Sequence, residues 1–142
     1  MSDATNAMDH VKEALLKKDY NALAECYSEQ AVLVTPEGAL KGRENIRKSY
    51  ETWLGRFSGL KASVDSKIDA GHQVVEEWTM SAVNSSEIPA GAFGERIPAT
   101  NESITVHCAN IASISDGRIM SHHVYYDQKE IMDQLGMKSH HM

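Results

Sequence analysis

The chain has 142 residues, 42% of them hydrophobic and 24% charged, with a formal net charge of -6. That is the length and composition of one globular domain with its own core. The acidic balance and the dispersed lysines and arginines exclude a basic nucleic-acid footprint, and no run approaches the ~20 apolar residues of a membrane span.

One domain over residues 1–142 is expected, with loose ends at 1–6 and 138–142. From Ala7 to Lys18, Met8, Val11, Leu15 and Leu16 recur at helical spacing. Asp19 is placed to cap a second short helix over 20–28, with Leu23, Ala24 and Tyr27 on one side. Ala31–Thr35 is a short β-prone run closed by the turn Pro36-Glu37-Gly38. Gly42 precedes a helical pattern over Arg43–Phe57, with Tyr50 and Trp53 on its apolar stripe. Leu60–Ile68 and Gln73–Val83 are strand-like, and Trp78 shares its parity with Val74, Glu76 and Met80.

Residues 84–102 are rich in Gly, Pro, Ser and Asn and are the natural candidate for a pocket rim or lid. Glu102–Ser115 and Arg118–Asp127 are two strands joined through Asp116-Gly117, the strongest hairpin signal in the chain. Gln128–Leu135 is a short final helix ended by Gly136. Helices first and long antiparallel strands afterwards give an α+β class. A strongly curved antiparallel sheet, with three N-terminal helices against its concave side and a short C-terminal helix, would enclose a cavity.

Cys26 and Cys108 form no CxxC pair and stand in no Cys/His cluster at zinc-ligand spacing. They read as buried thiols of a reducing compartment. No metal and no cofactor is expected. No positively charged start leads into an apolar stretch, so a cytoplasmic location is expected.

With Asp116 and Gly117 as the central turn residues, Ser115 faces Arg118 and Ile114 faces Ile119. The pairs Ala112–Ser121, Asn110–His123, Cys108–Tyr125 and Val106–Asp127 then share the face of Ile114–Ile119. A face mixing apolar residues with Asn110, His123, Tyr125 and Asp127 fits a ligand pocket. The opposite face carries His107, Ile111, Met120, His122, Val124 and Tyr126, which suits a second layer or a dimer contact. His107 and His122 are therefore expected at an interface or the surface. A bulge would shift this register.

Three segments carry a family resemblance: Lys17–Tyr27 running into Ala31–Pro36, the glycine-led Leu40–Ile46, and the Asp116–Asp127 hairpin with Gln134-Leu135-Gly136. With them the chain resembles the SnoaL-like polyketide cyclase group of the nuclear transport factor 2-like superfamily, whose fold is cystatin-like. The resemblance implies a cone-shaped α+β barrel with an open pocket and frequent homodimerisation. It implies an acid/base role for Asp127, at the end of the last strand, and maps the family's aromatic positions to His123 and Trp78. The chain departs from the family at Thr79–Asn84 and at Pro98–Asn101.

The residues support the same candidates. Asp127 would remove a proton α to a carbonyl if an apolar pocket raised its pKa. His123 would bind or protonate another part of the ligand, with Asn110, Tyr125 and Trp78 as ligand-binding groups. The competing role for Asp127 is to cap the helix starting at Gln128. Glu76 is a candidate second carboxylate, and Thr35 and Glu37 reach toward a pocket mouth. The expected function is a pocket for a small hydrophobic molecule, with cofactor-independent cyclase or isomerase chemistry at Asp127. The alternatives are a non-catalytic ligand-binding domain and a dimeric association domain.

Overall fold

The computed structural model describes residues 3–87 and 98–136. Helix α1 spans Asp3–Lys17 and α2 spans Tyr20–Glu25. Strands β1 (Tyr27–Thr35) and β2 (Gly38–Lys41) precede α3 (Arg43–Leu54). Then come β3 (Phe57–Asp69), β4 (Gln73–Asn84), β5 (Ser103–Ser115), β6 (Arg118–Tyr126) and α4 (Gln128–Gln134).

Helix α1 carries the expected apolar stripe but begins at Asp3, four residues before Ala7 and inside the stretch 1–6 expected to be loose, because Ala4 is buried with Ala7, Met8, Val11 and Leu15. Lys18 ends it in the left-handed conformation, at φ 54. The amides of Lys18 and Asp19 donate to the carbonyls of Leu15 and Ala14 and satisfy two of its last acceptors. The Asp19 side chain then accepts from the Ala22 amide at 3.1 Å and opens α2.

The six strands form one sheet in the order β2-β1-β6-β5-β4-β3. Strand β1 runs antiparallel to β2 and parallel to β6; the other neighbours are antiparallel. This corrects the expected architecture. The sheet is mixed and open, with edges at β2 and β3, and is neither closed into a cone-shaped barrel nor strongly curved. Nor do three helices lead the chain, because the β1–β2 hairpin separates α3 from α1 and α2. The α+β class stands. Strand β1 also begins at Tyr27, four residues before the Ala31 at which the β-prone run starts.

The apolar core lies on the helix side of the sheet. Met8, Val11, Leu23, Ile46, Leu33, Ala112 and Ile119 form one cluster. Phe57, Ala82, Ile104, Ile131 and Leu135 form a second beneath α4. Most of the 84–102 connection, with its expected rim or lid, lies outside the described residues, as do 138–142. Its anchoring is visible: the buried Asn84 side-chain amide donates to the Pro98 carbonyl at 3.0 Å and the Thr100 hydroxyl at 3.2 Å.

The β5–β6 hairpin decides which side chains face the core. Asp116 and Gly117 have φ of 53 and 76, the positive values of a two-residue hairpin turn. Ser115↔Arg118 and Ile114↔Ile119 pair as expected. Beyond them β6 carries one extra residue, so Ser113 pairs with Ser121, Ala112 with His122, Asn110 with Val124 and Cys108 with Tyr126. Met120 is the extra residue and is exposed. A one-residue bulge reverses the facing of every later side chain.

Candidate functional site

The bulge turns His122, Val124 and Tyr126 inward and His123 and Tyr125 outward. The inward residues help line a cavity of about 210 Å³ between the sheet and helices α1, α3 and α4. Val11 and Leu15 of α1, Leu54 of α3 and Ile131 of α4 supply apolar wall. Met80, Ala82, Ile104 and Val106 supply the sheet side. Both tryptophans, Trp53 and Trp78, line it.

A chain of buried polar groups reaches this cavity. The Tyr50 and Tyr27 hydroxyls are 2.8 Å apart, and the Tyr27 hydroxyl is 2.8 Å from His122 Nδ1. His122 Nε2 is 2.9 Å from Asn110 Oδ1. Tyr27 is 0% exposed, His122 2% and Asn110 3%. Only Tyr50, half-buried, presents appreciable surface.

Donor and acceptor roles follow from Asn110. Its Oδ1 only accepts, so His122 Nε2 carries the proton. Burial, and to a lesser extent neighbouring His123, pushes the His122 pKa down to about 4, so the ring is neutral near pH 7. A neutral imidazole with a protonated Nε2 has an accepting Nδ1. Tyr27 therefore donates to His122, and Tyr50 donates to Tyr27. Burial pushes the Tyr27 hydroxyl well above its ordinary range and the Tyr50 hydroxyl up to about 12, so both stay protonated.

Two carboxylates sit near the tryptophans. Glu37 lines the cavity and accepts from Trp53 Nε1–H at 2.9 Å. Its pKa is raised by burial, against the lowering effect of the Trp53 hydrogen bond. Glu76 is buried off the cavity wall. It accepts from Trp78 Nε1–H at 2.8 Å and stands 3.5 Å from Lys67 Nζ.

The sequence candidates divide. Asn110 and Trp78 line the cavity. His123 and Tyr125 lie on the other sheet face, where Tyr125 is 53% exposed and stacks on His123. Asp127 is exposed and is the N-cap of α4, accepting from the Lys129 amide at 2.9 Å. It does not line the cavity. The bulge at Met120 is the physical reason for all three displacements. His122, expected at an interface or the surface, is buried within the chain, whereas His107 is exposed beside Glu130. Tyr27 and Tyr50 were not expected in a polar network. The turn residue Glu37 was anticipated only as reaching a pocket mouth.

Cys26 and Cys108 are free and buried. Among the described residues no group of three or more His, Cys, Asp or Glu could hold a metal ion, and no helix is long and apolar enough to cross a membrane.

The comparisons with known proteins agree on the fold. No curated protein matches the chain in sequence. TsrD from Streptomyces laurentii is 24% identical, with a TM-score of 0.81 and 96% of each chain covered. IdmH from Streptomyces antibioticus, described as a putative polyketide cyclase, is 22% identical, with a TM-score of 0.78, covering 94% of this chain and 99% of that one. A putative SnoaL-like polyketide cyclase from Jannaschia sp. CCS1 is 13% identical, with a TM-score of 0.82, covering 96% of this chain and 94% of that one. The SnoaL-like domain model matches residues 8–122. The chain therefore belongs to the SnoaL-like domain family, within the nuclear transport factor 2-like superfamily.

Proposed function

We propose that this protein binds a small, uncharged, largely apolar molecule in the cavity, with the ligand's polar group at Tyr50. The observation that carries this reading is the cavity of about 210 Å³, apolar over most of its wall and ending on a buried, neutral hydrogen-bond chain. A charged ligand group would lose its hydration there without gaining a counter-charge from His122, Tyr27 or Asn110. Apolar walls with a few placed polar groups are the usual composition of small-molecule sites.

The test uses 1-nitronaphthalene, an uncharged quencher of indole fluorescence. Because both tryptophans line the cavity, a saturable one-to-one quench is expected. Val106→Trp, which fills the cavity from β5, is expected to abolish binding of 1-nitronaphthalene by calorimetry while leaving cooperative unfolding. Quenching that rises linearly without saturation, or calorimetric binding that survives the filled cavity, would overturn the proposal.

A second reading adds cofactor-independent proton transfer of the cyclase or isomerase kind. The observation favouring it is Glu37, the one carboxylate lining the cavity among the described residues and one whose proton is held more tightly by burial. On this reading Glu37 replaces Asp127 as the acid/base. The protein is then expected to speed deuterium uptake at the carbon between the ring and the carbonyl of 2-tetralone, and Glu37→Gln to remove that acceleration. Exchange no faster than in buffer would eliminate this reading and leave the binding pocket.

A further inference from the structure

Resting on the pocket reading above, we infer that the cavity selects a ligand whose polar group is a hydrogen-bond donor, an alcohol in preference to a ketone, and that the Tyr50 oxygen is the acceptor that makes the choice. The inference comes from following each proton along the buried chain. Asn110 Oδ1 takes the His122 Nε2 proton, His122 Nδ1 takes the Tyr27 hydroxyl proton, and the Tyr27 oxygen takes the Tyr50 hydroxyl proton. A phenol has one proton to give and two lone pairs. The single Tyr50 proton is committed inside the protein, so what remains for a ligand is its oxygen.

Reversing the chain would require Asn110 to present its Nδ2 to His122. That amide instead faces Cys108 Sγ, at 3.8 Å. Of the other fixed donors on the wall, the Trp53 indole N–H is committed to Glu37 and the Trp78 indole N–H to Glu76, while Asn110 Nδ2 keeps a second N–H on a side chain that is 3% exposed. Ser49, Ser81 and Tyr126 also line the cavity with hydroxyls, as does Thr35, whose oxygen accepts from the Glu37 amide at 3.1 Å. Each can donate or accept, so none of them separates an alcohol from a ketone. At Tyr50 and at Glu37 the polarity of the wall is thus fixed as accepting.

The experiment compares three uncharged probes of nearly one shape by calorimetry: 1-tetralol, 1-tetralone and tetralin. The wild type is expected to bind 1-tetralol about tenfold more tightly than 1-tetralone, the worth of one neutral hydrogen bond. In Tyr50→Phe the ring and the cavity shape are kept and the preference is expected to vanish, with tetralin affinity unchanged as the control for folding. A ketone bound as tightly as the alcohol would overturn the accepting assignment while leaving the pocket intact. A preference that survives Tyr50→Phe would overturn the role of Tyr50. Failure of all three probes to bind the wild type would overturn the pocket reading itself. The wild-type comparison decides the polarity even if the variant does not fold.

Discussion

His122→Ala is expected to destabilise the protein by about 3–5 kcal/mol, through a cavity at a fully buried site and two buried polar partners each left one bond short. The imidazole is 2% exposed and joins β6 to β1 through Tyr27 and to β5 through Asn110. Removing it strands the Tyr27 hydroxyl proton and the Asn110 oxygen, both of which water cannot reach. The β1–β6 pair is the one parallel contact in the sheet, so the lost hydrogen bond lies across the junction that ties the first strand to the last. Tyr27→Phe keeps the ring volume and removes one hydroxyl, and is expected to cost about 1–3 kcal/mol. Urea denaturation with a common slope checks both. A loss below about 1 kcal/mol for His122→Ala would mean that the buried chain is not formed.

Acid is expected to weaken the fold through the same residue. The ordinary histidine pKa of 6.5 is lowered to about 4 by burial. Between these values the unfolded chain binds a proton that the folded one excludes, so stability rises with pH there. The His122 contribution is complete above about pH 6.5 and is lost as pH falls toward 4, by about 3 kcal/mol in all. Glu37 works in the opposite sense. Its folded pKa is raised, so its contribution is present in acid and lost as pH rises past the ordinary carboxylate range. Comparing wild type with His122→Gln separates the two, because Glu37 is common to both. The variant's stability is expected to fall less steeply between pH 6.5 and 4, and parallel curves would contradict the assignment.

What could be read from the chain was local. The period of Met8, Val11 and Leu15 made α1, and Asp19 made the cap of α2. Asp116-Gly117 made the hairpin turn, because a two-residue turn of that type needs positive φ at both positions. Trp78 and Asn110 were found on the cavity because β4 and β5 keep strict alternation there.

The rest depended on distant partners. Leu23, Ala24 and Tyr27 stand at helical spacing, yet Tyr27 joins a strand because β6 is there to pair with it. Nothing within nine residues of β1 names a partner at the far end of the chain. The bulge at Met120 has no glycine to mark it and changes little locally, yet it reverses His122 through Tyr126. A signal was available in composition. The unbulged register turns Ser121 and Asp127 inward, and the bulged one turns Val124 and Tyr126 inward. The second set leaves the carboxylate in water, where an unpaired charge belongs. Asp127 then serves as the cap its position before Gln128 also allowed.

The central claim is that the cavity ends on a neutral hydrogen-bond chain of fixed direction, and the ¹⁵N chemical shifts of the His122 ring test it most directly. At pH 7 they should identify a neutral ring with the proton on Nε2 and a bare Nδ1, unchanged down to about pH 5. A proton on Nδ1, or a titration midpoint near the ordinary histidine value of 6.5, would contradict the account.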